Sequence, residues 1–121
     1  MKDSPLIVQE PLQNLINFLE RTKEDSWCME VVRTKDQKQN CLFGHVFDWG
    51  GNIGWDWFEN FLATTYMVFP VNDKSNSKYQ RDSIKERNIQ YLKNLLNGTE
   101  KTVMEIMDEY DLERRRYKII I

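Results

Sequence analysis

Residues 40–61 read NCLFGHVFDWGGNIGWDWFENF and hold three of the four Trp, four of the five Gly, the only His and one of the two Cys. Residues this rare, packed this densely, mark either the heart of a small core or a recognition surface. A core needs only apolar bulk, whereas a site needs polar groups aimed at something. Read turn by turn, Asn40 can cap a short helix beginning at Cys41, because its side-chain oxygen can accept the free N–H groups of the first turn. Gly50 and Gly51 end that helix. A second short helix then opens with Asp56 as cap and Glu59 three residues on as its reciprocal partner, with Phe58, Phe61 and Leu62 as the apolar face.

Working outward, Leu12, Leu15, Ile16 and Leu19 fall at i, i+3, i+4 and i+7, a helix that Pro11 suits as first residue and that ends near Thr22. The β-branched run at 27–34 alternates roughly and is expected to be a strand, followed by a solvated turn at 35–40. Downstream, TTYMVFPVND at 64–73 is β-branched and aromatic until Pro70 interrupts it, so an extended edge segment is expected, followed by a loop over 73–81. Ser83 with Glu86 forms a capping box for a helix that stops at Asn97-Gly98. Thr102 with Glu105 opens the last helix, carrying Val103, Ile106, Met107 and Tyr110 at i, i+3, i+4 and i+7, and the two are expected to form a hairpin. The closing YKIII is expected to dock as a strand. The fold class that follows is α+β, mostly α: about five helices with a small sheet of two or three short strands.

Composition bounds the function. At 121 residues, 40% hydrophobic, the chain fits one domain over 1–121. With 30% charged residues and a net charge of −2, no broad field invites nucleic acid or an anionic membrane. The N-terminal MKDSPLIVQEPLQNL lacks a signal-like apolar run, and no 18 apolar residues follow one another, so a soluble cytoplasmic protein is expected. Cys28 and Cys41 read as free thiols of a reducing compartment.

Three chemistries compete for the rare residues. On a helix starting at Asn40, Cys41, His45 and Asp48 stand at i, i+4 and i+7, a nucleophile, a base and an orienting acid in a row, and a helix N-terminus favours a thiolate. Three side chains along one short helix rarely converge on a substrate, however, and nothing marks an oxyanion hole. Zinc on Cys28, Cys41, His45 and a carboxylate lacks the paired spacing of structural sites, and no motif calls for another cofactor, so neither metal nor cofactor is expected. The third reading gives Trp49, Trp55 and Trp57 to a partner protein, since Trp is enriched in interface hot spots. Trp55 and Trp57 flank Asp56 and cannot easily both point inward. Asn72 and Asp73, at the start of a polar loop, and the basic run Arg114, Arg115 and Arg116 are further contact candidates. The basic run also complements the C-terminal end of a helix whose earlier turns are acidic.

Trp27, the CxxG of Cys41-Leu42-Phe43-Gly44, and Asn72-Asp73 ahead of a helix over 85–96 together resemble a family of small uncharacterised bacterial and phage proteins. The likeness spans roughly residues 10–96 and implies a mostly helical fold with no assigned activity. The aromatic insertion after His45 and the last helix with its YKIII tail depart from it. The function expected is stoichiometric protein–protein binding to a host or defence protein, in one concrete form as an anti-CRISPR inhibitor. A thiol enzyme using Cys41 and a regulatory nucleic-acid binder are the alternatives.

Overall fold

The computed structural model describes the backbone of residues 6–120 and the side chains of 9–111. Five α-helices appear in the order α1 (Leu6–Glu20), α2 (Leu42–Trp57), α3 (Thr65–Asn72), α4 (Ile84–Asn97) and α5 (Val103–Ile120). A 3-10 turn, Glu24–Ser26, precedes the long loop into α2, and a π-helical turn, Phe58–Leu62, continues α2. None of the described residues forms a strand, so the expected sheet is absent and the fold is mostly α.

The apolar stripe of α1 is the firmest part of the core: Leu12, Leu15, Ile16 and Leu19 are all sealed, and α1 packs along α4. Pro11 lies inside this helix rather than at its start, because the helix begins at Leu6. Lys85 of α4 donates to the carbonyls of Glu20 (2.8 Å) and Thr22 (2.6 Å), meeting acceptors that the end of α1 leaves unpaired. Ser83 caps α4 by accepting from the Glu86 N–H at 3.1 Å, and Gly98 closes it at φ 82. The second capping box is fully reciprocal, with Glu105 N–H donating to Thr102 Oγ1 and Thr102 N–H donating to Glu105 Oε1. α5 does not lie along α4 as a hairpin would; it packs against the Phe58–Leu62 turn.

Each expected strand fails for a physical reason. Residues 27–34 have no neighbouring strand and instead curl around Asn40, which bridges Trp27 on one side and Arg33 on the other. Asn40 N–H donates to Ser26, Cys28 N–H donates to Asn40, and Cys41 N–H donates to Val32, at 2.8–2.9 Å. Glu30, at φ 71, supplies the reversal that a regular strand forbids. Residues 66–69 belong to α3: Val68, Val71 and Asn72 are buried at i, i+3 and i+4, so the helical period outweighs β-branching and Pro70 is accommodated within two turns. The tail continues α5 to Ile120, while Ile121 and the side chains of 112–120 lie outside the described residues. Asp56 caps nothing, because helix resumes past Gly51 and places it in mid-turn. Gly51 is indeed a break, with φ 62 and ψ −154, a conformation that side chains rarely tolerate. The Ala63 N–H then reaches back five residues to Phe58 at 3.0 Å, forming the π turn.

Candidate functional site

The N-terminus of α2 gathers Trp27, the CxxG segment and Asn72-Asp73 into one sealed clamp. Asn40 does not cap the helix. Its Oδ1 accepts from Arg33 Nε at 2.8 Å and its Nδ2 donates to Asp48 at 3.0 Å. The free Leu42 N–H is met instead by Asn72 Oδ1 at 3.1 Å, a cap delivered from the end of α3. Asn72 also accepts from Asn88 Nδ2 (2.9 Å) and donates to the Cys28 carbonyl (2.9 Å), so one fully buried amide ties α2, α4 and the 27–40 loop together. Asp73 accepts from the Glu30 N–H at 3.1 Å, holding the residue with positive φ. Gly44 is where the loop lies against the helix: a Cβ there would stand 2.5 Å from the Val32 carbonyl oxygen and 2.7 Å from Asn40 Cβ. The CxxG spacing therefore has a structural cause, a buried Cys at the N-cap and a glycine one turn on that admits a crossing backbone.

His45 stacks on Trp27 with ring centroids 4.1 Å apart, and its Nε2 lies 3.1 Å from the Ser26 carbonyl. A carbonyl only accepts, so Nε2 carries the proton and donates. Asp48 makes no hydrogen bond to it and instead pairs with Arg33 at 2.5 Å and with Asn40, acting on the imidazole only through its charge. Cys41 is 0% exposed. Burial pushes its thiol pKa up, against the opposing effect of the Gly44 and Phe43 N–H groups. Desolvation likewise holds His45 below its ordinary range, against the Ser26 carbonyl. Cys41, His45 and Asp48 thus share a helix without forming a chain of proton transfer: the thiol is sealed and protonated, the imidazole is committed to a carbonyl, and the acid is committed to a guanidinium. Among the described residues no three His, Cys, Asp or Glu side chains cluster as a metal site would require.

The aromatic residues make a different kind of site. Phe43 and Phe58, both sealed, meet edge to face at 5.4 Å, and from them rings step outward to the surface. One branch runs from Phe43 to Trp55 at 5.0 Å and on to Phe47 at 6.4 Å; the other runs from Phe58 to Trp57 at 6.5 Å and on to Trp49 at 5.7 Å. Trp49 lies over Gly54, across the kink at Gly51. Trp49, Trp55 and Trp57 are each half-buried, so Trp55 and Trp57 share the exposure rather than one taking all of it. Phe47 is 39% exposed, and Ile53, on the turn after the kink, is 85% exposed. Trp57 Nε1 is buried with no hydrogen-bond partner, a cost the cluster carries in the free protein.

Of the remaining candidates, Asn72 has no surface to offer a partner, Asp73 is half-buried in the clamp, and the side chains of Arg114, Arg115 and Arg116 lie outside the described residues. Sequence reasoning passed over Arg87. It is 1% exposed and donates to the carbonyls of Val71 (3.1 Å), Asn72 (2.6 Å), Arg81 (2.6 Å) and Asp82 (3.0 Å), closing the C-terminal end of α3. Burial draws its pKa down, and the charges of Asp73 and Asp82 counter that. The signal was available: Ile84, Tyr91, Leu92 and Leu95 fall at i, i+7, i+8 and i+11 along α4, and Arg87, at i+3, sits in that stripe where an apolar residue is due. Comparison with protein families, curated proteins and solved structures finds no match to this chain.

Proposed function

We propose that the chain works by stoichiometric binding to another protein, through the face built by Phe47, Trp49, Ile53, Trp55 and Trp57. The observation that carries this reading is the continuous path of rings from the sealed Phe43–Phe58 pair to side chains open to solvent. Large flat side chains held rigid from behind lose little entropy on binding, which is what hot-spot residues share. A thiol enzyme draws no such support, with Cys41 sealed and His45 turned to a carbonyl. In its most specific form the reading is an inhibitor that occludes a host or defence protein, as anti-CRISPR proteins do.

The test is affinity capture from a host lysate with the wild-type chain, Ile53→Asp and Phe47→Asp, and Lys35→Ala as an exposed control. Partners recovered by wild type and the control but lost with both aspartate variants support the face. Equal recovery by all four removes it.

A further inference from the structure

Cys28 and Cys41, the two thiols of the chain, are both buried and unbridged, and the main chain sets them side by side. Asn40 N–H donates to the Ser26 carbonyl at 2.8 Å and Cys28 N–H donates to the Asn40 carbonyl at 2.9 Å, the pattern of a parallel pair in which Trp27 stands opposite Asn40. One residue further along both segments, Cys28 stands opposite Cys41. Trp27 (φ −107, ψ 142) and Cys41 (φ −76, ψ −177) are extended, and opposed residues of a parallel pair turn their side chains to the same face. Adjacent extended segments lie about 4.8 Å apart, inside the Cα separation of about 4.4–6.8 Å that a disulfide spans.

The joint is also held from outside. Asn72 accepts from the Leu42 N–H and donates to the Cys28 carbonyl, and the Cys41 N–H donates to Val32 at 2.9 Å, so neither residue is free to drift from the other. Cys28 Sγ gives only a long contact, 3.6 Å to the Val31 carbonyl, and a thiol is a weak donor that loses little by turning away. Burial raises the pKa of both thiols, the charge of Asp73 acts on both, and that of Cys28 acts on Cys41.

We infer that Cys28 and Cys41 are a redox pair, a modification site where exchange with a small disulfide joins them and a thiol reductant parts them. Cys28, 8% exposed against 0% for Cys41, is the point of entry. Its thiol yields a proton to solvent, attacks one sulfur of the small disulfide and expels the other as a thiolate. The Cys41 thiol then loses its proton, attacks the Cys28 sulfur and expels the second thiolate. Two thiols of the chain become one disulfide, and one small disulfide becomes two thiols. The new bond fastens the joint that Asn72 holds by hydrogen bonds, so the stability of the clamp follows the redox poise, independently of the aromatic face.

The test equilibrates the full chain with reduced and oxidised glutathione at a series of ratios, once folded and once unfolded in urea. Equilibrium is approached from the reduced chain and from chain oxidised in urea and then refolded, so that slow entry to a buried thiol does not decide the result. Acid quenching, alkylation and peptide mass mapping read the species. The intrachain bond should persist in the folded chain at a glutathione ratio at least about tenfold more reducing than in urea, and the oxidised chain should unfold at higher urea than the reduced one. Cys28→Ser and Cys41→Ser should show neither effect. A bond held no more tightly by the folded chain than by the unfolded one overturns the inference, as do glutathione adducts or linked chains in place of the intrachain bond, or an oxidised chain that unfolds at lower urea.

Discussion

Replacing Asn72 by alanine should unfold the clamp. The side chain accepts from Leu42 N–H and Asn88 Nδ2 and donates to the Cys28 carbonyl, all at 2.9–3.1 Å in a site with no solvent exposure. Alanine strands the Leu42 N–H and the Cys28 carbonyl outright. Asn88 fares better, because its amide nitrogen also donates to Ile84 at 3.0 Å. Two buried groups left unpaired at about 1–3 kcal/mol each, with a smaller loss at Asn88, give about 2–7 kcal/mol. That is a large share of the roughly 5–15 kcal/mol that holds a domain of this size. Urea titration followed by circular dichroism at 222 nm reads it, with Ser77→Ala, exposed in the following loop, as the neutral comparison. A loss below about 1 kcal/mol, with an unchanged m-value, would refute the reasoning, since it would mean that the amide is not the cap of α2.

Two further outcomes follow from the same region. Gly44→Ala places a methyl 2.5 Å from a backbone oxygen that no rotamer change can move, and should cost about 1–3 kcal/mol or more in a urea titration. His45 is held below its ordinary pKa of 6.5 by burial, so as pH falls past that value the unfolded chain takes up a proton that the folded one resists. Stability contributed by neutral His45 is therefore complete above pH 6.5 and declines as pH drops toward the folded pKa. Thermal melts of wild type between about pH 7 and about pH 5 should show that decline, and His45→Gln should flatten it.

What could be read from the sequence depended on whether the signal was local. The stripe of α1, both Ser83 and Thr102 caps, the Gly98 stop and the break at Gly51 are each decided within a turn or two, and each stands in the structure. The strands failed because β-branching speaks only of a residue's fit to a sheet, and among the described residues there is no second strand for residues 27–34 or 66–69 to join. Asn40 and Asn72 show the limit most clearly. Both are asparagines near a helix start or stop, yet the one adjacent to α2 pairs with Arg33 and Asp48, and the one thirty residues away is the cap. Nothing in local spacing distinguishes them. Trp49, Trp55 and Trp57 stood between core and surface in sequence, and they stand there in space.

The Cys41 turn is a sealed clamp at the N-terminus of α2. Alkylation tests it without knowledge of any partner. With Cys28→Ser leaving Cys41 as the single thiol, iodoacetamide should modify it negligibly at neutral pH without denaturant, and its rate should rise with urea in step with global unfolding. A native rate equal to or above that of a model thiol would contradict the clamp and return Cys41 to contention as a nucleophile.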